Sequence, residues 1–497
     1  MLLWYSFFKR RTTMAYRTGN RYQMTMFPQS IEEYVAKDDP VRAYDAFVEA
    51  LDFASLGIDL NPYKVGNAPY DPKAMTKLLV YGYSYGVKSS RKLERECYHN
   101  ISFIWLMGGL KPDHKTIAEF RRTNKKALKK VLRNCAQVCI GLDLIAGNVL
   151  FADGTKIRAN AARGKTHDKA YYEKQLAALD GRIEQLLNEC EAIDRQEQDS
   201  SSYVAMDKEL TKAETLKNKI QQALEVFQAT ELKAVNITDP DCAIMHSVQG
   251  SHASYNVQSV VDDKYALIVH AEAVSDTSDV NQFARQIEKA NKLFAKPCEA
   301  ACADAGYADT DELEKIEAQG INVIVPSQRQ ALHEEEGPFS KSHFTYDKEK
   351  DCYYCPEGHR LSYAGTDKNT GKRHYQITNK KTCLSCSNFG QCTTAKKGRK
   401  IIRLKNEEAK QRFEAQYEQE ASQVIYARRK CKAEHPFGHI KRNLKTDAFM
   451  LRGSEGVQAE TSLLATCFNV RRIITIFGGV LQFIEKLAGV QLVALPG

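Results

Sequence analysis

Asn148-Val-Leu-Phe-Ala-Asp-Gly154 is the stretch on which the fold turns. Val149 to Ala152 is an apolar run of strand length, and Asp153-Gly154 closes it with a carboxylate and a residue suited to a bend. Cys298 to Ala303 has the same character and is closed by Asp304, again ahead of a glycine, Gly306. Functional groups collect at such strand ends in open α/β sheets, so two acids in this setting form a candidate site. Between the two runs, Ala253 to Val261 and Tyr265 to Val274 are rich in β-formers and are joined at Asp262-Asp263. That is a hairpin signal, and these two aspartates read as turn formers rather than ligands. A helix over Asp279 to Phe294 and a strand over Ile321 to Val325 complete an α/β sheet core.

The core is interrupted. From Asp168 to Leu232 the residues Leu176, Leu179, Ile183, Leu186, Leu187, Leu216, Ile220, Leu224 and Phe227 recur at three- and four-residue steps among Glu, Lys and Gln. This predicts two amphipathic helices, divided by the polar link Asp199-Ser-Ser-Ser202, whose apolar stripes form a hairpin core or a dimer zipper. Residues 338–395 are rich in Tyr, Gly, Cys and Lys without periodicity and read as a small inserted module. Beyond it, Asn406 to Arg442 is helical and charged, and Leu463 to Leu492 is apolar and helical.

On the N-terminal side, Tyr70 to Val131 is helical. Asp71-Pro72 opens one helix, Ser89-Ser90 is an N-cap signal for Arg91-Lys92-Leu93-Glu94-Arg95-Glu96, and Thr116 with Glu119 has capping-box spacing ahead of Phe120-Arg121-Arg122. Residues 1–150 hold 23 Lys and Arg against 14 Asp and Glu, which is the whole +9 net charge of the 497-residue chain. Between Lys88 and Arg133 the count is 13 against 4. Short capped helices dense in cations suit a helix-turn-helix type DNA reader, with a basic helical bundle as the plain alternative.

The composition, 43% hydrophobic and 27% charged, is that of a globular protein of several units. Fourteen cysteines without a secretory signal favour a reducing cytoplasm over disulfides. Met1 to Phe8 is apolar, but Lys9-Arg10-Arg11 follows it, the reverse of a signal peptide's charge order, and a start at Met14 removes it. No apolar run approaches the roughly 20 residues that span a bilayer, so no membrane partner is expected.

Glu434 is the third acid of interest, because it lies in the basic segment Arg428-Arg-Lys-Cys-Lys-Ala-Glu-His-Pro436. An acid ringed by cations is what a site for metal and phosphate requires. Two Mg²⁺ ions about 4 Å apart on carboxylates activate water and stabilise a leaving oxygen in phosphodiester cleavage. Here the residues resemble a family. Asp39-Pro-Val-Arg42, Tyr70-Asp-Pro72, Ser89 to Glu96, Thr116 to Arg121, Asp153-Gly-Thr-Lys156, Tyr255-Asn-Val-Gln258, Ala303-Asp-Ala-Gly-Tyr307, Glu434-His-Pro-Phe-Gly-His-Ile-Lys-Arg442, Leu451-Arg-Gly453 and Phe468-Asn-Val-Arg-Arg472 resemble the IS1182-type transposases of bacterial insertion sequences, from about Tyr16 to Arg472. The resemblance implies an RNase H-like DDE core with Asp153, Asp304 and Glu434 as catalytic ligands of Mg²⁺ or Mn²⁺. It implies cleavage of transposon ends at terminal inverted repeats, joining to target DNA, and a homodimer in the DNA complex. Lys441, two helical turns past Glu434, is similar to a DNA-phosphate lysine of related transposases. Arg429 is offset by one residue from the related signature, which leaves Lys430 as its rival. Arg91, Lys92, Arg95, Arg121 and Arg122 are the DNA contacts expected in the N-terminal region, and His435 is a helper of the acids or a helix start.

Cys352-x-x-Cys355 and Cys383-x-x-Cys386 have the paired spacing of a structural Zn²⁺ site, and Cys392 follows. Five thiols compete for four places: spacing favours Cys352 over Cys392, the resemblance favours Cys355, Cys383, Cys386 and Cys392, and His359 is a further alternative. Cys135, Cys139 and Cys467 lie on apolar faces and read as core. The expected organisation is a helical DNA-binding region over 1–145, a core over 146–337 with a helical insertion at 168–235, a zinc-ribbon-like insertion over 338–395, and the rest of the core with closing helices over 396–497. Two rivals stand beside a cytoplasmic, nucleoid-associated transposase: a related nuclease without strand transfer, and an inactive copy that only binds DNA.

Overall fold

The computed structural model describes residues 30–60, 69–194, 200–230, 232–247, 250–368 and 370–489. The apolar stretch at Met1–Phe8, the start at Met14, the first residues of the family resemblance from Tyr16, and Asp199 of the polar link lie outside the described residues, as does Leu492.

The N-terminal region is helical as its pattern predicts: α1 Pro40–Glu49, α2 Phe53–Leu56, α3 Pro72–Ser84, α4 Ser90–His99, α5 Ile101–Leu106, α6 His114–Thr123 and α7 Lys125–Gly141. Asp39 and Asp71 cap α1 and α3, each followed by proline at the first helical position, where its missing N–H costs nothing. Ser89 is the N-cap of α4 by position, although its side chain makes no capping bond. The start of α6 differs from the capping box expected at Thr116. Asp113 is the cap and accepts from the Thr116 backbone at 2.6 Å, while Glu119 pairs with Arg122. A carboxylate one turn earlier is the stronger acceptor and meets the positive end of the helix dipole.

The central sheet contains β1 Val149–Arg158, β4 Ala243–Ser247, β5 Gly250–Asp262, β6 Ile268–Val274, β7 Ala300–Cys302 and β8 Asn322–Ile324. β2 Thr166–His167 and β3 Val235–Asn236 form a separate two-residue pair at the foot of the insertion. β1 runs along one side of β5, and β4 and β6 follow one another along its other side, all antiparallel. On its far side β1 pairs in parallel with β7, and β7 with β8. β1 is longer than its apolar run suggests. Gly154 to Arg158 continues the strand against Ser254–Gln258, so Asp153 is mid-strand rather than at a bend. Thr155 and Ile157 are β-formers, and the long partner supplies backbone hydrogen bonds that the apolar pattern does not reveal.

α10 Phe283–Asn291 covers one face of the sheet. α14 Glu407–Tyr417, α15 Glu420–Arg429 and α16 His435–Arg442 belong to the other, where Phe151, Cys302 and Ile324 pack with Tyr417 and Ala433. α11 Thr310–Glu317 and α12 Gln328–Ala331 connect the later strands. α17 Gly453–Ile476 is buried over almost its whole length between α3, α7 and β6, and α18 Val480–Ala488 closes the chain. Among the described residues, no single helix is long and apolar enough to cross a membrane.

β6 is the sheet edge, and two amides of α17 satisfy it. Asn469 accepts from the Ile268 N–H and donates to the Ile268 carbonyl, both at 2.8 Å. Gln458 accepts from Ala273 N at 2.9 Å and donates to Ala271 O at 2.8 Å. An edge covered in this way cannot recruit another strand.

The insertion is the expected helical hairpin, α8 Lys169–Asp194 against α9 Ser200–Ala229, with Tyr172, Ile220, Ala223 and Val235 as its core. α9 begins at Ser200, so Ser200–Ser202 of the expected polar link belong to that helix. The cysteine-rich module is a five-stranded antiparallel sheet, β9 Thr345–Asp347, β10 Cys352–Tyr354, β11 Arg360–Thr366, β12 Arg373–Ile377 and β13 Lys400–Arg403, with α13 Lys380–Leu384 beside it. It extends past residue 395 because Ile401 of the fifth strand belongs to its core, with Phe344, Tyr353, Leu361 and Tyr375.

Asn469→Leu leaves a buried N–H and a buried carbonyl of Ile268 without partners, each costing about 1–3 kcal/mol. The expected result is a lower midpoint of chemical unfolding and a loss of about 2–5 kcal/mol, read by circular dichroism; an unchanged midpoint refutes this role for the amide.

Candidate active site

The parallel register of β1 and β7 pairs Phe151 with Cys302. Asp153 and Asp304 each lie two residues further on. Because side chains alternate, both continue the face occupied by Phe151 and Cys302, side by side where the short parallel ladder ends. Asp304 caps the turn Ala305–Tyr307, with one carboxylate oxygen accepting from Gly306 N at 2.9 Å. The same face receives the helix carrying Glu434, since Ala433 packs beside Phe151 and Cys302.

That helix is irregular at the residue that matters. Between α15 and α16 the chain forms a π-helical turn, Lys430–Glu434. Pro436 has no N–H, and its ring crowds the carbonyl four residues back, which opens the α-helical ladder there. Such π turns concentrate at functional sites. The turn is anchored on β5's end: Arg428 forms an ion pair with Asp263, and Lys432 donates to the Asp263 carbonyl. Asp262 does act as a turn former, accepting from Gly147 N at 2.7 Å and Lys264 N at 2.9 Å. Asp263 adds this docking role, which its place in a hairpin turn did not reveal.

Arg429, rather than the exposed Lys430, reaches the acids. Its guanidinium is 3.1 Å from Glu434 and 3.9 Å from Asp153. Burial pushes the Asp153 carboxyl up to about 7; Arg429 opposes this, while Asp304 and Glu434 add to it. The arrangement is therefore a concentration of negative charge offset by one guanidinium, half-buried and 13% exposed at its side chain. Lys441 lies along the same strand face and donates to Thr155 Oγ1 at 2.5 Å. His435 is the first residue of α16, where the π turn runs on into it, and packs edge-on to Phe468 at 5.7 Å between ring centres.

On the opposite face, Gly154 meets a polar network that sequence reasoning missed. Asp279 accepts from Asn256 at 2.7 Å and from Gln258 at 2.6 Å, and Tyr307 donates to Gln258 at 2.5 Å. A Cβ on Gly154 would stand 2.5 Å from Gln258 and 2.8 Å from Asp279. Glycine is needed here for close packing rather than for a bend. Two amides and a serine in the β-rich run from Tyr255 to Val261 were the available signal. Ser259, directly across from Asp153, is buried as well.

Among the described residues, no three His, Cys, Asp or Glu side chains are drawn together closely enough to hold a metal ion. The donors nevertheless suit one. The acids offer only oxygen, the chemistry that hard divalent cations take, and a cation offsets the charge that burial penalises. Cys355, Cys383, Cys386 and Cys392 line one cavity of about 30 Å³ with His359, whereas Cys352 is fully buried in β10 and lies outside it. Gly398 backs this cavity; a Cβ there would meet Cys383 at 3.2 Å. Cys135, Cys139 and Cys467 are core residues, as expected.

The N-terminal cations divide. Arg91, Lys92 and Arg95 are exposed along α4, and Arg122 is exposed and paired with Glu119. Arg121 corrects the expectation of a DNA contact: it is 5% exposed, donates to Lys88 O at 2.7 Å and bonds Ser90. It ties α6 to the start of α4.

With this geometry in view, residues 29–123 match the family described as "Transposase domain (DUF772)", and residues 354–474 match "Transposase DDE domain". The chain thus matches two transposase domain families, one on each side of its central sheet strands. This agrees with its resemblance to the IS1182 type, and the second match contains Glu434, Arg429 and Lys441. No curated protein matches the chain. A piggyBac transposase synaptic complex with hairpin DNA, solved by cryo-EM, overlaps 90% of this chain and 79% of its own at 8% identity, with a TM-score of 0.33. That is too slight a likeness to build on.

The raised Asp153 carboxyl has a consequence for stability. The folded chain holds this proton more tightly than the unfolded chain, whose carboxyl titrates at about 4. Its contribution is complete below that value and is lost as pH rises through about 7. In metal-free buffer Asp153→Asn therefore gains stability relative to the parent between pH 5 and pH 8, by about 1 kcal/mol or more. A difference independent of pH, measured by unfolding at both values, contradicts the buried, charge-crowded setting.

Proposed function

We propose that the chain cuts DNA at the ends of a bacterial insertion sequence and joins those ends to target DNA, using Asp153, Asp304 and Glu434 on an RNase H-like core. The observation that carries this reading is the register of β1 and β7, which brings two carboxylates to one point on the face that also receives Glu434. The sheet supports it too: three antiparallel strands, β6, β5 and β1, continue into the parallel β7 and β8, with the third acid on a helix that follows.

The three acids would hold Mg²⁺ or Mn²⁺, which when bound supplies Lewis-acid activation of water and charge stabilisation at the leaving oxygen. This chain's residues do the positioning. Arg429 and Lys441 flank the acids and present cations to a phosphodiester. Arg429 is paired with the acids, so its guanidinium offsets their charge and would lie beside a phosphate held there. The network beneath Gly154 fixes the Asp153 strand. On α4, Arg91, Lys92 and Arg95, with Arg122 nearby, are placed to bind terminal inverted repeats as a basic helical reader. Two ends require two copies, and the exposed Leu187 and Leu216 of the hairpin offer part of a homodimer contact. A zinc-ribbon-like role follows for the cysteine module, with structural Zn²⁺ on Cys355, Cys383, Cys386 and Cys392 in a reducing cytoplasm.

Asp153→Asn should lower Mg²⁺-dependent cleavage of a terminal-repeat duplex by at least about 100-fold while binding to that duplex is retained. Cleavage that survives the change sinks the assignment, and cleavage without joined product turns the reading to a nuclease. For the cysteines, elemental analysis of purified protein should give one zinc per chain, retained in Cys352→Ser and lost in Cys386→Ser; the opposite pattern would install Cys352 as the ligand.

A further inference from the structure

A second basic feature lies away from the acids, at the covered edge of the sheet. α7, β6, α10 and the start of α17 enclose an open cleft of about 550 Å³. It is lined by Lys125, Lys126, Lys129, Lys130 and Arg133 from α7 and by Lys289 and Lys292 from the α10 side, with Glu455 as its one acid. Two of these cations are engaged: Lys130 donates to Ser55 O at 3.1 Å, and Lys289 pairs with Glu272 at 2.6 Å. Lys125, Lys126, Lys129, Arg133 and Lys292 form no ion pair among the described residues.

The shape of this charge narrows the ligand. Lys125, Lys129 and Arg133 follow one another at four-residue steps, advancing about 6 Å each along α7, and Lys126 begins a parallel row. A line of cations suits a charged chain better than a single phosphate, because each neutralised phosphate releases condensed counterions. Its one ring is His270, whose Nε2 is shielded from solvent, and no Phe, Tyr or Trp lines the cleft to stack a base. Its one amide, Gln458, is already committed to the backbone of β6. Nothing there reads sequence. The cleft opens beyond β6, two strands and so on the order of 10 Å from β1. It therefore lies apart from any phosphate that would be cut beside the acids.

We propose that this cleft binds the phosphodiester backbone of duplex DNA without regard to sequence, at a point separate from the acidic site. The choice of DNA rests on the function proposed above; the cleft's preference for a linear polyanion does not.

The test uses the full chain, a labelled duplex of arbitrary sequence and Mg²⁺-free buffer, with binding followed by fluorescence anisotropy over a salt series. The triple variant Lys126→Ala/Lys129→Ala/Arg133→Ala should bind about 10-fold or more weakly, and the slope of log affinity against log salt should fall by about 2–3. Lys126→Arg/Lys129→Arg keeps the charge and should bind like the parent, which separates charge from packing. Unchanged affinity and slope in a triple variant that melts like the parent overturn the proposal. Tighter binding of an RNA duplex than of DNA, or displacement of DNA by millimolar inorganic phosphate, overturns the choice of ligand. Wild-type cleavage is measured alongside. If cleavage is absent but the salt slope responds, the cleft stands and the cutting function falls; intact cleavage with an unresponsive slope is the reverse.

Discussion

Phe151 and Cys302 face one another in the three-residue parallel ladder of β1 and β7, and the position of the acids follows from that pairing. Two residues later the β1–β7 ladder has ended, while β1 itself continues against β5 with Asp153 opposite Ser259. The face of Asp153 and Asp304 is fixed by the apolar residues before them, which pack with Ile324, Tyr417 and Ala433. A slip of one residue in β1 would send Asp153 to the α10 side and bring Gly154 to the site. Burial of Phe151 on one face and Leu150 and Ala152 on the other opposes that slip.

The price of gathering acids is electrostatic, and the structure meets it with nearby cations rather than distant ones. Arg429 sits between Asp153 and Glu434, and its neighbour Arg428 points the other way to Asp263. The π turn separates these arginines from Glu434 by five and six residues with a geometry that a regular helix lacks. Pro436 thus acts on the site without touching it, by its effect on the backbone ladder.

The N-terminal region is joined to this core by buried polar contacts. Lys88 donates to Lys445 O and Thr446 Oγ1, each at 3.0 Å, and the adjoining Asp447–Phe449 segment hydrogen-bonds to Arg158 at the outer end of β1. Arg121 holds the Lys88 carbonyl in turn. Positive charge in residues 1–150 therefore serves three ends: exposed cations on α4, structural ties at Lys88 and Arg121, and the row on α7.

Local patterns in the sequence determined most element types, the helix opening at Asp71-Pro72, the helical hairpin and the α/β alternation, because these depend on side-chain periodicity and chemistry along a short segment. What depends on neighbours from distant segments was decided only by the tertiary structure. Arg91 and Arg121 are both arginines of a basic helical stretch, yet one meets solvent and the other is enclosed by α4. Cys352 and Cys392 are alike by spacing, but strand pairing turns Cys352 away from the cavity that the other four cysteines line. Gly154 reads as a bend until Gln258 and Asp279 are seen beneath it. Asp153 was legible as an acid after an apolar run; that it stands in a continuing strand, beside Asp304 and against Arg429, is a consequence of β5 and β7, whose Ser259 and Cys302 pair with this stretch from distant parts of the chain.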